Sequence, residues 1–151
     1  MGLDMYLTKK IYVGAEHKHR NVNGEVSITV NGKPLKVNFY KIVNIEERFG
    51  YWWEANAIHG WLVNNVQDGV DNCAEYCVSE GQLSELLSIC KQIKDNPTPE
   101  NCEDLLPAQF GFFFGDAKYD QNYFNKIDET INILEEALQE EEGDFYYQSS
   151  W

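Results

Sequence analysis

The stretch Tyr119–Trp151, YDQNYFNKIDETINILEEALQEEEGDFYYQSSW, decides the fold class. Tyr123, Ile127, Ile131, Leu134 and Leu138 recur at spacings of four, four, three and four, the apolar stripe of a helix packed on a core. The spacing predicts a helix from about Tyr119 to Gln139, and Gly143 ends it. The closing Asp144–Trp151 changes period and is rich in aromatics, so it is expected to dock as a last strand. A long amphipathic helix running into a terminal strand calls for a sheet with helices against it.

Working back, Phe110-Gly-Phe-Phe-Phe-Gly115 reads as a buried strand, and Asp95-Asn-Pro-Thr-Pro-Glu100 as a loop that ends a helix. That helix, about Glu80 to Lys94, carries Leu83, Leu86, Leu87, Cys90 and Ile93 on one stripe. Ser79 with Gln82 three residues on has the form of a capping box. Tyr76–Val78 suits a short strand, and Trp53–Val66 a helix. The first fifty residues read as β structure: Met5–Val13, Glu25–Val30 and Leu35–Val43, with Asn31-Gly-Lys-Pro34 as a hairpin turn. Residues 15–24 read as an exposed loop. The expectation is one α+β domain over residues 1–151, a largely antiparallel sheet with about three helices on one face.

Charge divides the chain. Residues 1–50 carry eight basic and five acidic side chains; residues 51–151 carry four and twenty, a net charge of −16. Such a surface repels phosphate, so direct nucleic-acid binding is not expected. It suits solubility, or competition with nucleic acid for a basic cleft on another protein. Glu135, Glu136, Glu140, Glu141, Glu142 and Asp144 are the candidate partner-binding acids, because they crowd a helix C-terminus where the macrodipole disfavours them. No apolar run approaches the roughly 20 residues that span a bilayer, and the N-terminus has no secretory pattern. A cytoplasmic protein is the expectation.

Cys73, Cys77, Cys90 and Cys102 lack the spacing of a zinc set or a redox pair, so reduced thiols and no metal are expected. Phosphate-loop, dinucleotide, zinc-protease and nucleophile-elbow signatures are missing, and no cofactor is implied. The candidate ligand cluster is polar and aromatic. Asn56 and His59 sit one helical turn apart, followed by Gln67, Asp71 and Tyr76, with Trp52 or Trp61 as a stacking ring. An imidazole beside a carboxylate suits a general base or a ligand contact, and equally a satisfied structural bond. In the tail, Tyr146, Tyr147 and Trp151 either cross-link the fold's edge or line a site.

The combination of Tyr51-Trp52, Ala55-Asn-Ala-Ile-His59, Trp61, Val66-Gln-Asp-Gly-Val-Asp-Asn-Cys73, Val78-Ser79, Leu105-Leu-Pro107, Gly111-Phe-Phe-Phe-Gly115, Tyr119-Asp120 and Asp144–Trp151 resembles a small protein family of phages, prophages and bacteria without established activity. The likeness covers about the last hundred residues together with Met1–Leu7. It departs at Trp53-Glu54, where basic residues often follow Tyr-Trp in the family. It implies a phage-type origin and no particular chemistry. The function expected is a non-enzymatic binder or inhibitor of a host protein with a basic surface, such as counter-defence by acidic mimicry. The alternative is a small-molecule binding protein, nucleotide-like in its ligand, or an enzyme, with a pocket around Asn56, His59 and Asp71 and with Lys9, Lys10 or Arg20 meeting any phosphate.

Overall fold

The computed structural model describes residues 2–111 and 118–151. Strand β1 (Asp4–Tyr12) lies inside an antiparallel sheet. The short strands β2 (Ile28–Val30) and β3 (Lys33–Leu35) form a separate hairpin, and β4 (Asn44–Trp53) returns beside β1. Helix α1 (Asn56–Asn65), strand β5 (Tyr76–Val78), helices α2 (Glu80–Asp95), α3 (Pro99–Leu105) and α4 (Gln121–Ala137), and strand β6 (Asp144–Ser150) complete the chain. The main sheet has the order β4-β1-β6-β5. The chain is thus the expected α+β domain, with four helices among the described residues.

Burial alternates along the central strands as a one-sided sheet requires. Leu3, Met5 and Leu7 of the β1 segment, Trp52 of β4, and Phe145 and Tyr147 of β6 point into one core. Leu83, Leu86, Cys90 and Ile93 of α2 meet them there, as do Tyr123, Ile127, Ile131 and Leu134 of α4. Both helical stripes anticipated from sequence are the buried ones, with Leu87 and Leu138 at the margin. A bulge between Leu7 and Thr8 sets Gly50 and then Arg48 opposite them, so Phe49 is the extra residue. Gly50 marks the close crossing of α4 over β4: a Cβ there would lie 2.7 Å from Ile133 Cγ2.

Local signals hold where they are strong. Ser79 and Gln82 form the reciprocal capping box, and Asp120 caps α4 by accepting from the Asn122 and Tyr123 N–H groups. Asn31 and Gly32 both have positive φ, as a type I′ hairpin turn needs.

Three expectations change. The strand expected over Leu35–Val43 stops at Leu35, because Asn38 accepts from the Tyr40 N–H and turns residues 39–41 into a 3₁₀ helix. The strand that enters the main sheet is Asn44–Trp53, which runs on to the residue where a helix was expected to begin. Glu54, at φ +51, makes the corner, and α1 starts at Asn56. The loop expected at 95–100 already contains the start of α3: Thr98 caps it, and Pro99 takes the first helical position, where its missing N–H costs nothing. The strand read at Phe110–Gly115 falls mostly outside the described residues. No described helix is long and apolar enough to cross a membrane.

Candidate functional site

Two places gather the residues singled out from sequence. The first is a buried polar chain. His59, 2% exposed on α1, lies 2.7 Å through Nδ1 from the Tyr147 hydroxyl and 3.0 Å through Nε2 from Asp71 Oδ2. The other Asp71 oxygen accepts from the Trp151 indole N–H at 3.1 Å. A carboxylate only accepts, so Nε2 carries the proton given to Asp71, and with the imidazole neutral the Tyr147 hydroxyl donates to Nδ1. Loop 67–75, helix α1 and strand β6 are tied together by this one imidazole. Both ring nitrogens are engaged, so the arrangement serves as a fastening better than as a base awaiting substrate.

The remaining candidates lie elsewhere. Trp52 is buried in the core, where its indole N–H donates to Thr130 Oγ1 at 2.9 Å. Asn56 accepts from the Gln109 N–H at 3.1 Å and borders a separate cleft with Lys118, Asp120 and Lys126. That cleft holds about 30 Å³, room for a water or two. Tyr76 is the exception: it stands opposite Tyr147 across β5 and β6, and its hydroxyl accepts from the Asn72 side-chain amide. Tyr146 lies beneath Lys10 Nζ, 5.0 Å from its ring centre. Gln67 is 1% exposed, and neither side-chain amide atom has a hydrogen-bond partner among the described residues. The structure therefore joins His59, Asp71, Tyr147 and Trp151, sets Tyr76 opposite Tyr147 in the sheet, and gives Trp52, Asn56 and Tyr146 other neighbours. Sequence reasoning missed Thr130, whose place three residues after Ile127 on the α4 stripe marked it as inward-facing.

The second place is a groove of about 390 Å³ at one end of the sheet. Val78, Leu83, Ala137, Leu138 and Phe145 supply its apolar lining, and Glu80, Glu140, Glu141 and Asp144 add four carboxylates. Three of the six acids singled out from sequence thus line a groove. Glu140 is bound there by Lys9, 2.6 Å away, which also meets Glu47 at 2.6 Å. Those hydrogen bonds raise the Lys9 ammonium above its ordinary range. Glu135 pairs with Lys91. Glu136, Glu141, Glu142 and Asp144 are exposed, with no ion pair to a described residue. No group of three or more potential ligands is placed to hold a metal ion among the described residues.

Burial also sets an alkaline limit. It pushes the Cys90 thiol up to about 12 and holds the Tyr123 and Tyr147 hydroxyls above their ordinary range. These groups keep their protons in the folded chain and lose them on unfolding near pH 9 and 10. Stability is then full below about pH 9 and falls as pH rises, by roughly 1.4 kcal/mol per unit for each group in its window. Urea unfolding from about pH 8 to about pH 11 should show this decline, and Cys90→Ala should flatten its first part. A slope indifferent to Cys90→Ala would refute the assignment.

Against known proteins, no family model matches the chain, and no curated protein or solved structure matches it.

Proposed function

We propose that the protein is a non-enzymatic binding protein of phage or prophage type, working in the bacterial cytoplasm by occupying a basic surface of a host protein. The observation that carries this reading is the groove between β5, α2, α4 and β6, edged by Glu80, Glu141 and Asp144 over a floor of largely buried apolar side chains. The small apolar floor adds contact, and the carboxylates around it select a partner whose own groove-filling segment carries lysine or arginine. Counter-defence by mimicry of nucleic acid is the form of this role that suits the net charge of −16 over residues 51–151. A nucleotide-like ligand has less support: His59 and Asp71 bond each other and the tail, and the cleft beside Asn56 is too small for a base.

Capture from bacterial lysate at low and high salt tests the reading, with Glu141→Lys/Asp144→Lys as the control. The expected result is a basic partner retained at low salt, released at high salt and not retained by the control variant. Retention indifferent to both salt and the variant would remove the acidic groove from the function.

A further inference from the structure

The other unusual surface is the arm between β1 and β4, residues 13–43. Backbone bonds from Val13 and Gly14 to Val43, and from Ala15 to Ile42, fix its base. Beyond that base it projects the β2–β3 hairpin. Ile28 and Leu35 face each other across the hairpin and share one side with Val30, and all three are exposed. Val37, Tyr40 and Val43 are exposed as well, so six of the thirteen large exposed hydrophobics among the described residues lie in the arm. A two-stranded hairpin is marginal alone, and an uncovered apolar side is a contact waiting for a surface.

Charge says which surface. Residues 13–43 carry five basic and two acidic side chains, while the rest of the chain has a net charge of −16. Register says where. Tyr12 pairs with Asn44, Lys10 with Asp144, and Phe145 with Val78, so the arm leaves the sheet at the end where the acid-edged groove opens. The groove is lined by no arm residue, and the arm's apolar side is uncovered in the single chain.

We infer that a second copy of this chain covers both: each hairpin lays Ile28, Val30 and Leu35 into the partner copy's groove, with Lys33 and Lys36 against Glu141 and Asp144. Two copies meeting at this end satisfy both arms and both grooves at once, as a closed two-fold pair requires. This inference rests on the groove being a docking site for basic segments. It adds that the pair must open before a host partner enters.

Sedimentation equilibrium of the full chain, at concentrations up to about 100 µM, tests it. The expected mass is twice the 17.5 kDa of one chain. Ile28→Asp/Leu35→Asp, Lys33→Glu/Lys36→Glu and Glu141→Lys/Asp144→Lys should each weaken the pair at least about tenfold. All these positions are exposed, and unchanged circular dichroism checks that the variants fold. Combining the two charge reversals should restore the dimer. A wild-type chain that stays monomeric, or a dimer unmoved by the arm variants, overturns the inference. A monomer that still captures a basic partner in a salt-sensitive way would overturn it while leaving the proposed function standing.

Discussion

His59→Ala is expected to cost about 2–4 kcal/mol of folding stability. The alanine leaves the Tyr147 hydroxyl without its acceptor in a fully buried position, a penalty of about 1–3 kcal/mol. It also opens a void the size of an imidazole and frees Asp71, which then holds only Trp151. Tyr147→Phe strands Nδ1 of the histidine instead and should cost about 1–3 kcal/mol. The informative variant removes both polar ends at once. His59→Leu/Tyr147→Phe replaces a buried polar pair with apolar groups of similar shape, and should recover much of the loss. Urea unfolding of the two single variants and the double reads the coupling directly. If His59→Ala folds with unchanged stability, the imidazole is not a fastening, and the ligand reading of Asn56, His59 and Asp71 gains the ground. If the double variant folds but loses every binding property, the same conclusion follows from the other side.

What the sequence made legible follows the range over which each signal acts. The stripes of α2 and α4, the Ser79–Gln82 box and the Asn31-Gly32 turn are decided within a few residues, and each stands as read. The closing strand was legible as well, since Phe145, Tyr147 and Ser149 alternate with polar neighbours and bury one side. Strand β4 was not. Its Glu46-Glu47-Arg48 looks like a solvated run, and only pairing with β1 explains it: Glu47 meets Lys9 on the inner side while Glu46 meets Lys10 on the outer. The partners are more than thirty residues away, and no local period encodes them.

The candidate site divides in the same way. Helical spacing rightly put Asn56 and His59 a turn apart, yet one turn sends them to different neighbours, Gln109 for one and Tyr147 for the other. That His59 would meet the C-terminal strand is a contact across 88 residues, set by β6 lying beside β1 and not by any motif. The groove is less legible still. Its lining comes from the ends of four elements, and only the crowding of Glu140, Glu141 and Asp144 announced one rim.

Trp52→Ala should be the most damaging single truncation, at about 3–5 kcal/mol. The indole is 1% exposed between the sheet and α4. Its N–H donates to the Thr130 hydroxyl, which in turn donates to the Lys126 carbonyl at 2.7 Å, so one ring closes β4 onto the helix. Domains hold about 5–15 kcal/mol in total, and for one of this length the loss corresponds to a Tm roughly 6–20 °C lower. Trp52→Phe keeps most of the buried ring and forfeits the hydrogen bond, and should cost less. Thr130→Val strands the indole N–H in the core, a loss of about 1–3 kcal/mol, and adding Trp52→Phe to it should return part of that. Calorimetric melting of the four variants separates ring volume from hydrogen bond. A Trp52→Ala chain that melts where the wild type does would put the indole outside the core and return it to the stacking role that its position beside Asn56 and His59 first suggested.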